Sequence, residues 1–110
     1  MTPLDERAIQ ILRELASHPA APFFENGPAH HLFTAIEQLG VDVFRDDYGN
    51  VIAHYSNRPD VSQPPIAYVA HMDHPGFEIT GVGEEGFIAR ALGGVPVASL
   101  KKSVPVLALT

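Results

Sequence analysis

Three titratable side chains stand close together in the stretch 66–77, IAYVAHMDHPGF: His71, Asp73 and His74. Imidazole and carboxylate groups are donors that zinc and similar divalent metals accept. In an extended chain alternate residues share a face. His71 and Asp73 then point the same way, and Met72 points into packing. A carboxylate two residues from a histidine can accept its second ring N–H, which fixes the tautomer and makes the other nitrogen a better ligand. His71 is the candidate metal ligand. Asp73 is the candidate catalytic-site carboxylate that orients it. His74 points away from both in an extended strand, and joins them only if the turn at Pro75-Gly76 swings it back. A His-x-Asp triplet also arises by chance, and a strand-end histidine is often only a structural hydrogen-bonding group.

The elements that must position these groups follow from patterning. The apolar run at 66–70, with its β-branched and aromatic members, predicts a strand buried on both faces, ending at His71. Polar groups at the end of a buried strand, before a turn, are where α/β proteins place their sites. Upstream, Thr2-Pro3-Leu4-Asp5 carries a helix cap and a first-turn proline. Leu4, Ala8, Ile11, Leu12 and Leu15 recur at helical spacing, and Pro19 predicts an end near Ser17. The loop 19–28, PAAPFFENGP, is expected to anchor through Phe23 and Phe24; Glu25 could reach a site, and an exposed carboxylate is the favoured reading. A second helix follows, striped by Ala29, Leu32, Phe33, Ile36 and Leu39 and closed by Gly40. Its neighbouring histidines, His30 and His31, diverge by about 100° and read as surface residues.

After Gly40 the period becomes strand-like. Residues 41–44 and 51–55 predict a hairpin across Asp46-Asp47-Tyr48-Gly49-Asn50, where Gly49 and Asn50 tolerate positive φ. His54 reads as a strand-surface residue. Residues 56–65 form a polar connection. Beyond the site, 77–82 and 87–90 predict a second hairpin, and 104–109 a last apolar strand. Helical pattern ends by residue 40 while strands run on. Two helices cover one face of a sheet, so the expectation is that a partner or a longer polypeptide supplies the remaining cover.

Composition narrows the function classes. The chain has 110 residues, 45% hydrophobic and 18% charged, which fits one globular domain. A net charge of −6 without a basic cluster beyond Lys101-Lys102 argues against nucleic acid. Cysteine is absent, which removes disulfides and thiolate chemistry. Asp5, Glu6 and Arg7 stand where a signal peptide needs an apolar core. No apolar run reaches the roughly 18 residues of a membrane span. The expected address is the cytoplasm, away from membranes.

The ordered motifs resemble the start of the dinuclear-metal aminopeptidases of the glutamyl/leucyl type, the family that includes the tetrahedral aminopeptidases. They are Asp46-x-x-Gly49-Asn50-Val51-Ile52-Ala53, then His71-Met72-Asp73 with Gly76-Phe77, then Gly86-Phe87-Ile88 and Leu92-Gly93-Gly94. The resemblance spans nearly the whole chain and corresponds to the first third of a family member. It implies an α/β fold, the N-terminal portion of a zinc-peptidase-like mixed sheet with two N-terminal helices. Residues 1–77 would belong to the catalytic domain, and 78–110 would start an inserted small β-barrel of dimerisation type. By position His71 would bind one of two divalent metals, zinc or cobalt, with Asp73 orienting it. The other ligands and the general base would lie beyond Thr110, so the 110 residues alone would be inactive. Peptides would be the substrates and a homo-oligomer the assembly. The family usually has Glu and an aliphatic residue after His-Met-Asp, where this chain has His74 and Pro75.

Two other readings stand beside this one. The chain could be a complete non-catalytic module that self-associates through its sheet. It could also be a small metal-binding protein using His71, Asp73 and His74 together.

Overall fold

In the computed structural model, residues 2–57 and 64–109 are described. The chain is α/β, with helix α1 at Pro3–Ala16, helix α2 at Asn26–Gln38, and strands β1 at Asp42–Arg45, β2 at Val51–His54, β3 at Gly76–Gly83 and β4 at Gly86–Leu92. A short 3-10 turn, Val97–Lys101, follows. Among the described residues the strands form two separate antiparallel pairs, β1 with β2 and β3 with β4, and no closed barrel. Most of the expected connection at 56–65 lies outside the described residues. No described helix is long and apolar enough to cross a membrane.

The caps form as the sequence predicts. Thr2 N–H donates to the Asp5 carboxylate at 2.8 Å, and Asp5 N–H donates to the Thr2 hydroxyl at 3.3 Å. Pro3 occupies the first turn, where its missing N–H costs nothing. α2 ends in Leu39, and Gly40 follows at φ 71°, the left-handed position glycine favours.

The turn between β1 and β2 is organised by one carboxylate. Asp46 Oδ1 accepts the backbone N–H groups of Tyr48 (3.0 Å) and Asn50 (2.9 Å), and Oδ2 accepts the Asn50 side-chain amide (2.7 Å). Gly49 takes φ 88°, and Asn50 is not in the left-handed region. The Asp46-x-x-Gly49-Asn50 motif is thus a turn device. The Asn50 amide holds the Asp46 carboxyl below its ordinary range. The backbone and hydroxyl of Thr2 do the same for Asp5. A carboxylate with a depressed folded pKa stabilises above the unfolded value and loses that contribution as pH falls through the folded one. On acidification from pH 5 to pH 2, the Asn50 amide is expected to lose protection as Asp46 protonates, read by NMR carboxyl and amide titration.

Packing is thin. α2 lies on the first hairpin and touches α1. Pro28, Ala29 and Ala20 are buried, and Leu32, Phe33 and Ile36 are half-buried. The stripe of α1 is less covered: Leu15 is half-buried, while Leu4, Ala8, Ile11 and Leu12 are exposed. Phe23 and Phe24 do not anchor the loop either; both are exposed. His31, expected at the surface, sits between the helices. Its ring is 5.0 Å from that of His18, and its Nε2 is 3.7 Å from Glu14 Oε2. His30 and His54 are exposed.

The second hairpin has the expected strands with one irregularity. The register passes from Ile79 opposite Ala89 to Gly81 opposite Ile88, leaving Thr80 as a bulge. Glu78 and Arg90 face each other as an ion pair.

Two predicted strands do not form. Residues 66–70 make no ladder and lie exposed, with Tyr68 at 93% and Val69 at 94%. Residues 104–109 behave the same way. A strand buried on both faces needs neighbours at its edges and layers above and below. Among the described residues neither stretch has them, so apolar character alone does not make it a strand.

Candidate functional site

The approach to the site, residues 66–75, belongs to no strand, and β3 begins immediately after it at Gly76. His71 and Asp73 nevertheless meet. His71 Nδ1 lies 3.0 Å from Asp73 Oδ1 and 3.0 Å from the Asp73 carbonyl oxygen. Both neighbours are acceptors, so Nδ1 carries the proton and donates it. In the neutral ring Nε2 then keeps its lone pair. The His71 side chain is exposed and Asp73 is about one-third exposed. A contact this open adds little stability, at most about 1 kcal/mol. Its consequence is orientation of the ring.

His74 is placed differently. Its backbone N–H donates to the Ala20 carbonyl at 2.9 Å. Its side chain is exposed and does not gather with His71 and Asp73. Among the described residues no three His, Asp or Glu side chains come together to hold a metal. The donor chemistry of His71 backed by Asp73 fits a metal ligand, and the described residues do not complete its coordination.

The loop 19–25 braces this segment, a role sequence reasoning missed. Beyond the Ala20–His74 bond, Gly76 stands so close that a Cβ there would lie 2.8 Å from Ala21 Cβ. Gly93, at φ 73°, brings its backbone beside Pro75 and Pro22. The available sign was small residues between prolines, matched by Pro75-Gly76 later in the chain. Gly76→Ala is expected to destabilise the protein by about 1–3 kcal/mol through overpacking. Gly76→Ala with Ala21→Gly should recover most of that loss, measured by urea denaturation.

Glu25 is used locally, accepting the Phe23 N–H at 2.8 Å. Phe23 itself has φ 72°. Phe24 N–H closes the turn onto the Ala21 carbonyl at 2.8 Å, with Pro22 second and Phe23 third. That third position with positive φ ordinarily takes glycine.

Comparison with known proteins gives the following likeness. Over 100 residues the chain is 30% identical to the Escherichia coli (strain K12) protein named "Putative aminopeptidase SgcX". The likeness takes in 89% of this chain and 26% of that protein, so the chain spans about a quarter of its relative's length. No family model matches the chain. No solved structure matches it. The similarity supports a relation to peptidases and no narrower subtype.

Proposed function

We propose that this chain carries the first metal-ligand segment of a metal-dependent aminopeptidase, which removes N-terminal residues from peptides. The observation that carries the reading is the His71 Nδ1–Asp73 bond, which leaves Nε2 available as a donor. The likeness to a protein named as an aminopeptidase supports the reaction class. In this reading His71 Nε2 holds one of two divalent ions, zinc or cobalt. When bound, such ions acidify a water and polarise the scissile carbonyl. Asp73 keeps the Nδ1 proton in place and so holds the ring in its ligating tautomer. The Ala20 carbonyl and the close contact at Gly76 fix the backbone on the far side of that pair.

A zinc site takes at least three protein ligands. The 110 residues by themselves are therefore inactive in this proposal, and the remaining ligands come from further polypeptide. Residues 1–77 form part of the catalytic domain, and 78–110, with the β3–β4 hairpin, open an inserted barrel. The active protein is a cytoplasmic homo-oligomer acting on peptides. The test is hydrolysis of unblocked and N-acetylated peptides by the natural protein, before and after chelation. Cleavage of unblocked peptides only, lost on chelation and restored by zinc or cobalt, is the expected result. Absence of cleavage, or cleavage indifferent to chelation, removes the reading.

A self-associating, non-catalytic module is the second reading. The exposed apolar stretches at 66–69 and 104–109 favour it. The mass of the natural protein separates the two: a product well beyond 110 residues supports the enzyme.

A further inference from the structure

A cleft of about 320 Å³ opens between the loop 19–25 and the β1–β2 turn, lined by Phe23, Glu25, Asn26, Arg45, Tyr48 and Gly49. Phe23 and Tyr48 stand at it with 91% and 92% of their surface exposed. Phe23 holds a turn position that favours glycine, kept there by the Glu25 carboxylate and the Phe24–Ala21 bond. An exposed aromatic in a disfavoured backbone conformation gains nothing in packing, and such conformations concentrate at binding sites.

Arg45 supplies the second observation. Among the described residues it forms no ion pair; its one hydrogen bond runs from Nη2 to Asn26 Oδ1 at 3.4 Å. A guanidinium has five N–H donors in a planar fork suited to a carboxylate. In a chain of net charge −6, a cation left unpaired at a cleft is available to an anionic ligand. The cleft also offers an acceptor. Glu25 uses Oε1 for the Phe23 N–H, and Oε2 is available to a ligand N–H.

The same loop carries Ala20, three residues before Phe23, whose carbonyl accepts the His74 N–H.

We propose that this cleft binds the carboxyl-terminal end of a short peptide substrate, with the terminal carboxylate on Arg45 and an apolar side chain between Phe23 and Tyr48. Glu25 accepts a peptide N–H. The proposal rests on the aminopeptidase reading and narrows its substrates to short peptides with a free C-terminus.

The test is binding, which is read independently of hydrolysis. Isotope-labelled protein is titrated with the tripeptide Leu-Gly-Leu and with its C-terminal amide, following the backbone amides of Phe23, Arg45 and Tyr48 by NMR. The free acid is expected to bind about two- to fivefold more tightly than the amide, the range an exposed ion pair supplies. Arg45→Gln should erase that preference, and Phe23→Ala should weaken both peptides alike. Both side chains are exposed, so neither variant threatens the fold. Equal affinity for acid and amide, or a preference that survives Arg45→Gln, overturns the inference even if the protein cleaves peptides. Selective binding without cleavage of any peptide overturns the aminopeptidase reading and leaves the cleft assigned.

Discussion

If the proposed function holds, replacing His71 by alanine is expected to remove one bound metal and nearly all peptide hydrolysis from the full protein. The two losses are linked, because one lost ligand removes both water activation and carbonyl polarisation. Asp73→Asn has a different expected result. The amide oxygen can still accept the His71 Nδ1 proton, but without its charge, so ring basicity falls while orientation persists. Metal content should largely survive, with activity down about 10–100-fold, the usual cost of losing a partner behind a ligand. His74→Ala should change substrate preference or the pH profile more than metal content, since the structure holds His74 through its backbone N–H. Metal analysis and peptide hydrolysis on the three variants decide the matter. Metal lost from His74→Ala and retained by His71→Ala would reverse the assignment.

The isolated 110-residue chain is expected to associate. Its buried hydrophobic residues, among those described, are Ala20 and Ala29. Its radius of gyration is 18.5 Å, against about 13 Å for a compact domain of this length. The apolar side chains of 66–69 and 104–109 face solvent outside any strand. Exposed apolar stretches of this kind pair with other chains. Sedimentation velocity at micromolar concentration should show oligomers or larger species. Lysine at both Val69 and Val106 should shift the distribution toward monomer by at least about tenfold in dissociation constant, because a buried charge opposes strand pairing. A sharp, cooperatively unfolding monomer of the unmodified chain would contradict the claim of missing cover.

The cation pattern shows where sequence reading stopped. Among the described residues the Arg45 side chain bonds to Asn26 and pairs with neither adjacent carboxylate, Asp46 or Asp47. The structure spends Asp46 on the turn amides instead, leaving Arg45 toward the cleft. Nothing in the order of residues announces that allocation.

Features that depend on few neighbouring residues were legible without coordinates. The Thr2–Asp5 cap, the stop before Pro19, the glycine after α2 and both hairpins rest on contacts within a few positions. The His71–Asp73 bond belongs with them, since it joins residues two apart. Burial was decided elsewhere. Residues 66–70 have the composition of a central strand, but pairing and cover are properties of neighbours, and the described neighbours do not supply them. The same holds for Phe23 and Phe24, whose apolar character predicted anchoring while the turn at Pro22 directs Phe23 outward. Only tertiary structure brought Ala20 to His74, Ala21 to Gly76, and Arg45 to the mouth of a cleft. Those approaches join segments roughly 20 to 55 residues apart, where chain reach sets no geometry and packing alone selects it.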